Sequence, residues 1–402
     1  GKPPGNALYC LILDYHSALD EPKFISEISC QTDCAETVWI PPVVQRILLQ
    51  IPQDPTLDHE YLPELGIVEF TRAAMELIIG KDSRALLDNR AGGVHTIGGT
   101  GAVWIGAEFL RRWYKPTLPI FPVLSDTVGS IFKQVGFTNI CLYHLWDPIQ
   151  LMVDIKVFLK ELQSHSQYCI ALLHSHALAT FFCSSPPPRL QTRHLFPFFD
   201  IPAQGLASGN LDRDAWALRH FVERGFELLC AQSFSKIFGL YDERVGNLIV
   251  VTKDNETLLR IHSQIAKQIM MTWSGPTSLG GRVIAMVLTS PALLYEWKQS
   301  LQTLVKRIML IREKLKEKLR ILGTPGSWEH ITEQSGVYSF TGLLPSQVEY
   351  LARHKHIYLF PNGQINICSI NSRNLEYVAQ SIHEAVVATT LQDCSHTRKN
   401  VD

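Results

Sequence analysis

Lys236 stands in the run Gln232-Ser233-Phe234-Ser235-Lys236-Ile237-Phe238-Gly239-Leu240-Tyr241-Asp242-Glu243-Arg244-Val245-Gly246, just beyond an apolar stretch that ends near Cys230. Hydroxyls precede the lysine at Ser233 and Ser235, and an arginine, Arg244, follows eight residues on. These residue types suit a small aldehyde that also carries a phosphate. The amine would form an imine with the aldehyde, while the hydroxyls and the guanidinium surround a phosphate dianion. Taken alone, the segment reads equally as a solvated Lys/Arg loop. A second candidate is Gly98-Gly99-Thr100, ahead of a helical pattern. Glycines allow close backbone approach and exposed helix N–H groups favour an anion, although a Gly-rich turn by itself is ordinary. Asp200 closes the apolar run 195–199, at the carboxyl end where open α/β sheets place ligands. His174 and His176 form a possible metal pair, but without a third spaced ligand they read as core or loop, and no metal is expected. Arg353-His354-Lys355-His356 reads as a solvated turn.

These residues need a frame that brings several chain ends together. Short apolar runs at 168–173, 195–199, 227–230 and 247–251 alternate with helical patterns at 101–113 and 211–224. Such alternation predicts an α/β fold with a mainly parallel sheet. From Leu301 the pattern turns helical: Leu301, Leu304, Ile308, Ile311, Leu315, Leu319 and Leu322 recur at spacings of three and four. That spacing leaves Lys306, Arg307, Arg312, Lys316 and Arg320 for solvent, and Gly323 and Pro325 stop the helix. The 402 residues exceed one ordinary domain, and this helix is a natural bridge from a large domain to a smaller one.

The net charge of −1, with both signs interspersed, argues against nucleic acid or an anionic membrane as a partner. Nine scattered cysteines without a CxxC pair predict reduced thiols and a cytosolic setting rather than a disulfide framework. The apolar run 7–13 stops at Asp14 without a basic flank, and no 18-residue apolar stretch occurs, so neither a signal peptide nor a membrane span is expected.

Five segments, in order, resemble the aspartate aminotransferases, class I pyridoxal-phosphate (PLP) enzymes of fold type I. They are HEYLPELGI at 59–67, GGTGAVWIGAEFL at 98–110, the stretch from LFPFFD to DAWA at 195–217, AQSFSKIFGLYDERVGNL at 231–248, and YLARHKHIYLFPNGQINIC at 350–368. The resemblance implies a mostly parallel seven-stranded sheet in a large domain, residues 39–303. A smaller α/β domain would be built from residues 1–38 and 304–402. It also implies PLP on Lys236, with Lys236 as the base at the substrate α-carbon and Asp200 as the partner of the pyridine nitrogen. Gly98, Gly99, Thr100, Ser233, Ser235 and Arg244 would hold the phosphate. Tyr61 would reach the phosphate of a neighbouring subunit, so a homodimer with shared sites is implied. The implied reaction converts L-aspartate and 2-oxoglutarate to oxaloacetate and L-glutamate.

The departures fall around the substrate. Where the family grips a dicarboxylate with two arginines, this chain has Met270 and Gln364. Arg282 lies nearby in sequence, without an implied role. The ring-stacking tryptophan aligns with Ser125, a histidine backing the aspartate with Val128, and a tyrosine on the phenolic oxygen with Ala203. The asparagine loop that bonds the same oxygen aligns with residues 179–182, and a substrate-side glycine with Ser29. The expectation is retained PLP binding with weak aspartate transamination. The alternatives are a PLP-binding module without catalysis, or racemisation or elimination on a less charged amino acid.

Overall fold

The computed structural model describes residues 39–114, 118–122, 126–144, 146–147, 151–154, 157, 160–161, 169–174 and 195–398. Ser29, Ser125, His176 and residues 179–182 lie outside these. Seven strands form one sheet: β1 (Ala91–Ile97), β2 (Leu118–Pro122), β3 (Cys141–Tyr143), β4 (Cys169–His174), β5 (Phe196–Ile201), β6 (Leu228–Ser233) and β7 (Val245–Val251). Their order is β1-β7-β6-β5-β4-β2-β3. Neighbours from β6 through β5, β4 and β2 to β3 pair in parallel, and β7 runs antiparallel to both β6 and β1. The sheet is therefore mostly parallel, as the alternation of strand and helix signals predicted.

Both faces are covered, which explains why its strands read as near-continuous apolar runs. Because side chains alternate between faces, Phe199, Cys230 and Ile249 join one core with Ile78, Ala215 and Phe221. Phe198, Leu229 and Leu248 join the other with Val103, Ile105 and Ile265. Helices start where side chains satisfy their first N–H groups. Asn210 Oδ1 accepts from Asp212 N and Arg213 N at the head of the helix Leu211–Glu223, and Asp254 accepts from Thr257 N ahead of Asn255–Thr272. Among the described residues no helix is long and apolar enough to cross a membrane.

The described residues fall into two units, one within residues 40–147 and 153–305, the other of residues 39, 151–152 and 306–398. The long helix runs from Pro291 to Ile321, starting earlier than the leucine pattern suggested, because proline suits the first helical turn. Gly323 follows it in the left-handed conformation, φ +67°. In the second unit β8 (Tyr338–Phe340) and β9 (Gln364–Asn366) form an antiparallel pair, with helices Pro345–Lys355 and Leu375–Arg398. Arg353 and Lys355 thus end a helix rather than form a turn, and His356 caps it in the left-handed region.

Arg312 is a correction. Its charge assigned it to solvent, yet it is fully buried. It lies four residues after Ile308 and three before Leu315, which places it on the apolar stripe. Its guanidinium donates to the carbonyls of Ile331, Gly336 and Tyr338 and to Ser339 Oγ, and burial lowers its pKa to about 10.

His95, mid-strand in β1, is likewise fully buried. Among the described residues neither ring nitrogen has a hydrogen-bond partner. Phe70 lies against the ring at 4.6 Å, and a Cβ on Gly281 would come within 2.6 Å of it. Burial lowers the imidazole pKa to about 4. Since the unfolded chain takes up this proton near pH 6.5 and the folded one only near 4, stability is lost as pH falls through that window. Between pH 7 and 5 the loss is about 2 kcal/mol. Urea unfolding of the parent chain and of His95→Leu is expected to show that pH 7-to-5 loss shrinking by this amount in the variant. An equal loss in both would exclude His95 as its source.

Candidate active site

Because β7 runs against its neighbours, its first residue lies at the same sheet edge as the ends of β1 and β6. Ile97 pairs with Val245, and Ser233 with Gly246. Three segments leave this edge together: Gly98 onward from β1, the lysine segment from β6, and Arg244 leading into β7. Asp200 sits at the corresponding end of β5, in register with Ala231 of β6 and with His174 of β4. Its carboxylate lies close enough to Cys230 to add to the burial that pushes that thiol well up in pKa.

The close approach of these segments dictates glycine. Gly98 N donates to Arg244 O at 2.8 Å, and Thr96 Oγ1 donates to Gly98 O at 3.0 Å. A Cβ on Gly246 would stand 2.2 Å from Gly98 O, a clash with backbone that nothing can relieve. Gly98 has φ +66°, and a Cβ there would lie 2.4 Å from Arg244 Nη2. A Cβ on Gly99 would lie 2.8 Å from Ser233 Cβ. The guanidinium of Arg244 is therefore laid directly over the Gly98 turn, with the Ser233 side chain over Gly99.

Arg244 itself adopts φ +51°, and its Nη1 donates to Tyr241 O at 2.9 Å and reaches Ser235 Oγ at 3.5 Å. Ser235 N donates to Ser233 Oγ at 3.4 Å. No described side chain caps the helix Gly98–Phe109, and of its first N–H groups Gly98 N is taken by Arg244 O. A guanidinium, two hydroxyls and a helix N-terminus without a side-chain cap, gathered against two glycines, are groups that suit a phosphate dianion.

Lys236 lies in the four-residue helix Ser235–Phe238, which Gly239 ends at φ +65°. Phe234, Ser235, Ile237 and Phe238 are buried while Lys236 is half-buried, so the turn turns its lysine outward. Of the other residues expected here, Thr100 is exposed on the first turn of its helix. Tyr61 is 88% exposed on the segment before the helix Val68–Ile79.

Of the positions aligned with the family's substrate arginines, Met270 is 53% exposed in the last turn of Asn255–Thr272, and Gln364 opens β9 in the second unit. Val128 is a core residue beside Phe121 and Phe132, and Ala203 is buried. Thr56 holds the Asp54 carboxylate below its usual pKa through side-chain and backbone hydrogen bonds, and the Arg282 charge adds a smaller pull in the same direction.

Asp214 was not legible as a site residue. Its buried carboxylate accepts from Gly205 N at 2.7 Å, Ala207 N at 3.1 Å and Ser208 Oγ at 2.6 Å, and so shapes the loop that follows Asp200. Burial raises its pKa, against the pull of those bonds. Its traces in the sequence were its place in the DAWA segment and an acidic residue in an otherwise apolar helical stripe.

The model of the family "Aminotransferase class I and II" matches residues 188–382. The chain is 44% identical to the cytoplasmic aspartate aminotransferase of Gallus gallus over 399 residues, 96% of this chain and 97% of that one. It is similar to the solved structure of cytoplasmic aspartate aminotransferase from Giardia lamblia, with TM-score 0.88 and 30% identity over 96% of this chain and 97% of that one. It is also similar to an aromatic-amino-acid aminotransferase from Burkholderia pseudomallei covalently bound to pyridoxal phosphate. There the TM-score is 0.87 and the identity 28%, over 96% of this chain and 98% of that one.

Proposed function

The chain belongs to the class I and II aminotransferases, and on that premise we propose that it moves the amino group of L-aspartate to 2-oxoglutarate, at a low rate, from a site built around Lys236. The enzyme is PLP-dependent by its family. The observation that carries the reading is the cradle at the sheet edge, where Arg244 overlies Gly98 and Ser233 overlies Gly99.

Gly98, Gly99, Thr100, Ser233, Ser235 and Arg244 would hold the phosphate, and the amine of Lys236 would attach the aldehyde. When bound, the cofactor supplies an electron-withdrawing ring conjugated to the amino group in transfer. Asp200 would keep a proton on the pyridine nitrogen, since a carboxylate beside it favours the charged form. Lys236, freed by the incoming amine, would move the proton at the substrate α-carbon. The exposed Tyr61 suits a contact with the phosphate of a second copy, which supports a homodimer with shared sites. The free cysteines among the described residues (Cys141, Cys169, Cys230 and Cys368) and the similarity to a cytoplasmic relative support a cytosolic enzyme.

The test is borohydride reduction followed by native mass spectrometry and peptide mapping. The expected species is two chains, each heavier by one reduced cofactor on Lys236. Chains without an adduct after reconstitution with excess PLP would sink the assignment of Lys236, and single chains would sink the shared site.

A further inference from the structure

The turn that carries Lys236 has only four residues, so its carbonyls have few partners within it. Ser235 O accepts from Gly239 N and Leu240 N. Ile237 O accepts from elsewhere in the fold: Trp297 Nε1 donates to it at 2.9 Å, fully buried. The Trp297 ring also stacks on Phe238, centroids 4.7 Å apart and planes 22° from parallel. Phe238 continues to Phe234 at 5.9 Å and Phe234 to Phe70 at 5.2 Å. The residues on either side of Lys236 are thereby clamped on their buried side.

The same helix stripe reaches the other loop of the site. Leu301, four residues beyond Trp297, would be 3.8 Å from a Cβ on Gly205, and Val305, four further on, 3.6 Å from one on Gly209. One face of the helix Pro291–Ile321 thus packs against both the lysine turn and the loop that follows Asp200.

We propose that Trp297 is a positioning residue for Lys236, its indole N–H capping the Ile237 carbonyl and its ring holding the turn so that the amine is presented in one orientation. The proposal rests on the role of Lys236 given above, but its geometry does not.

The experiment compares the parent chain with Trp297→Phe and with a chain carrying benzothienylalanine at position 297, an isostere with sulfur in place of N–H. PLP dissociation constants come from absorbance titration. Labelling by trinitrobenzenesulfonate, mapped by mass spectrometry, gives the rate at Lys236 relative to the exposed Lys81. Loss of one buried hydrogen bond is expected to weaken PLP binding up to about tenfold and to raise relative Lys236 labelling severalfold in both variants. Urea unfolding of each variant separates a general loss of stability, because labelling is compared only under conditions where the chain is folded. Unchanged PLP affinity and an unchanged labelling ratio in either folded variant would overturn the proposal. If Trp297→Phe fails to fold, the isostere decides. If the parent chain carries no cofactor on Lys236, the catalytic reading fails, while the labelling ratio still judges the role of Trp297.

Discussion

Replacing Lys236 with alanine is expected to lower aminotransfer by about 10²–10⁴-fold, the range in which a positioned proton-transfer group contributes. No neighbour in the turn can take over. Phe234, Ile237 and Phe238 are apolar and buried, and Ser235, also buried, lies beside Arg244. Lys236→Arg separates charge from chemistry. It keeps a cation near the cradle, but a guanidinium stays protonated and offers neither an attaching amine nor a base. Both variants should therefore lose turnover, with the arginine variant retaining more phosphate affinity. Steady-state kinetics and PLP titration of the two check this. Turnover within tenfold of the parent in either variant would remove Lys236 from the chemistry.

The paired substitution Met270→Arg and Gln364→Arg is expected to raise the preference for aspartate over alanine, as the ratio of kcat/KM values, by at least about a hundredfold. Each charge-assisted hydrogen bond to a carboxylate contributes about 1.5–3 kcal/mol, and tenfold corresponds to about 1.4 kcal/mol. Both positions have room. Met270 is more than half exposed, so a longer cationic side chain displaces no core. Gln364 N is held by Asn362 Oδ1 at 3.1 Å, a backbone contact that the change of side chain leaves in place. In the parent, thioether and amide supply neither charge nor a bidentate fork, so a dicarboxylate is expected to be poorly held and poorly oriented there. Kinetics with aspartate, glutamate and alanine on both chains form the test. Efficient, saturable aspartate turnover by the parent would refute this account of the two positions. A cofactor-loaded chain inert in both forms would instead favour the binding module.

The family and the site chemistry were readable because they are local in sequence. Ser233, Ser235, Lys236 and Arg244 lie within one short segment, and their types name the groups they can hold. The parallel sheet was readable for a similar reason. A strand covered on both faces must be apolar throughout, and 247–251 and 195–199 show that without reference to any partner. Glycines were legible as a motif but not as a necessity. That Gly246 tolerates no Cβ follows only when β7, running antiparallel, sets it against Gly98 O.

Periodicity assigns a residue to a stripe, but it does not say what the stripe meets. Arg312 fell to solvent by residue type, although its spacing from Ile308 and Leu315 put it on the buried face. Only the carbonyls of residues 331–338, gathered around it by the second unit, make that burial tolerable. His95 read as a strand residue, and its enclosure by Phe70 and Gly281 depends on two helices distant in sequence. Trp297 read as one more apolar residue of a long helix. Its bond to Ile237 spans sixty residues, and a hydrogen bond at that separation exists only once the fold has brought donor and acceptor within 3 Å. The sequence by itself determined which groups are available for chemistry and which surfaces must be buried. Tertiary structure alone decided which buried polar groups meet, because hydrogen bonds and burial depend on distances that the order of residues along a chain does not specify.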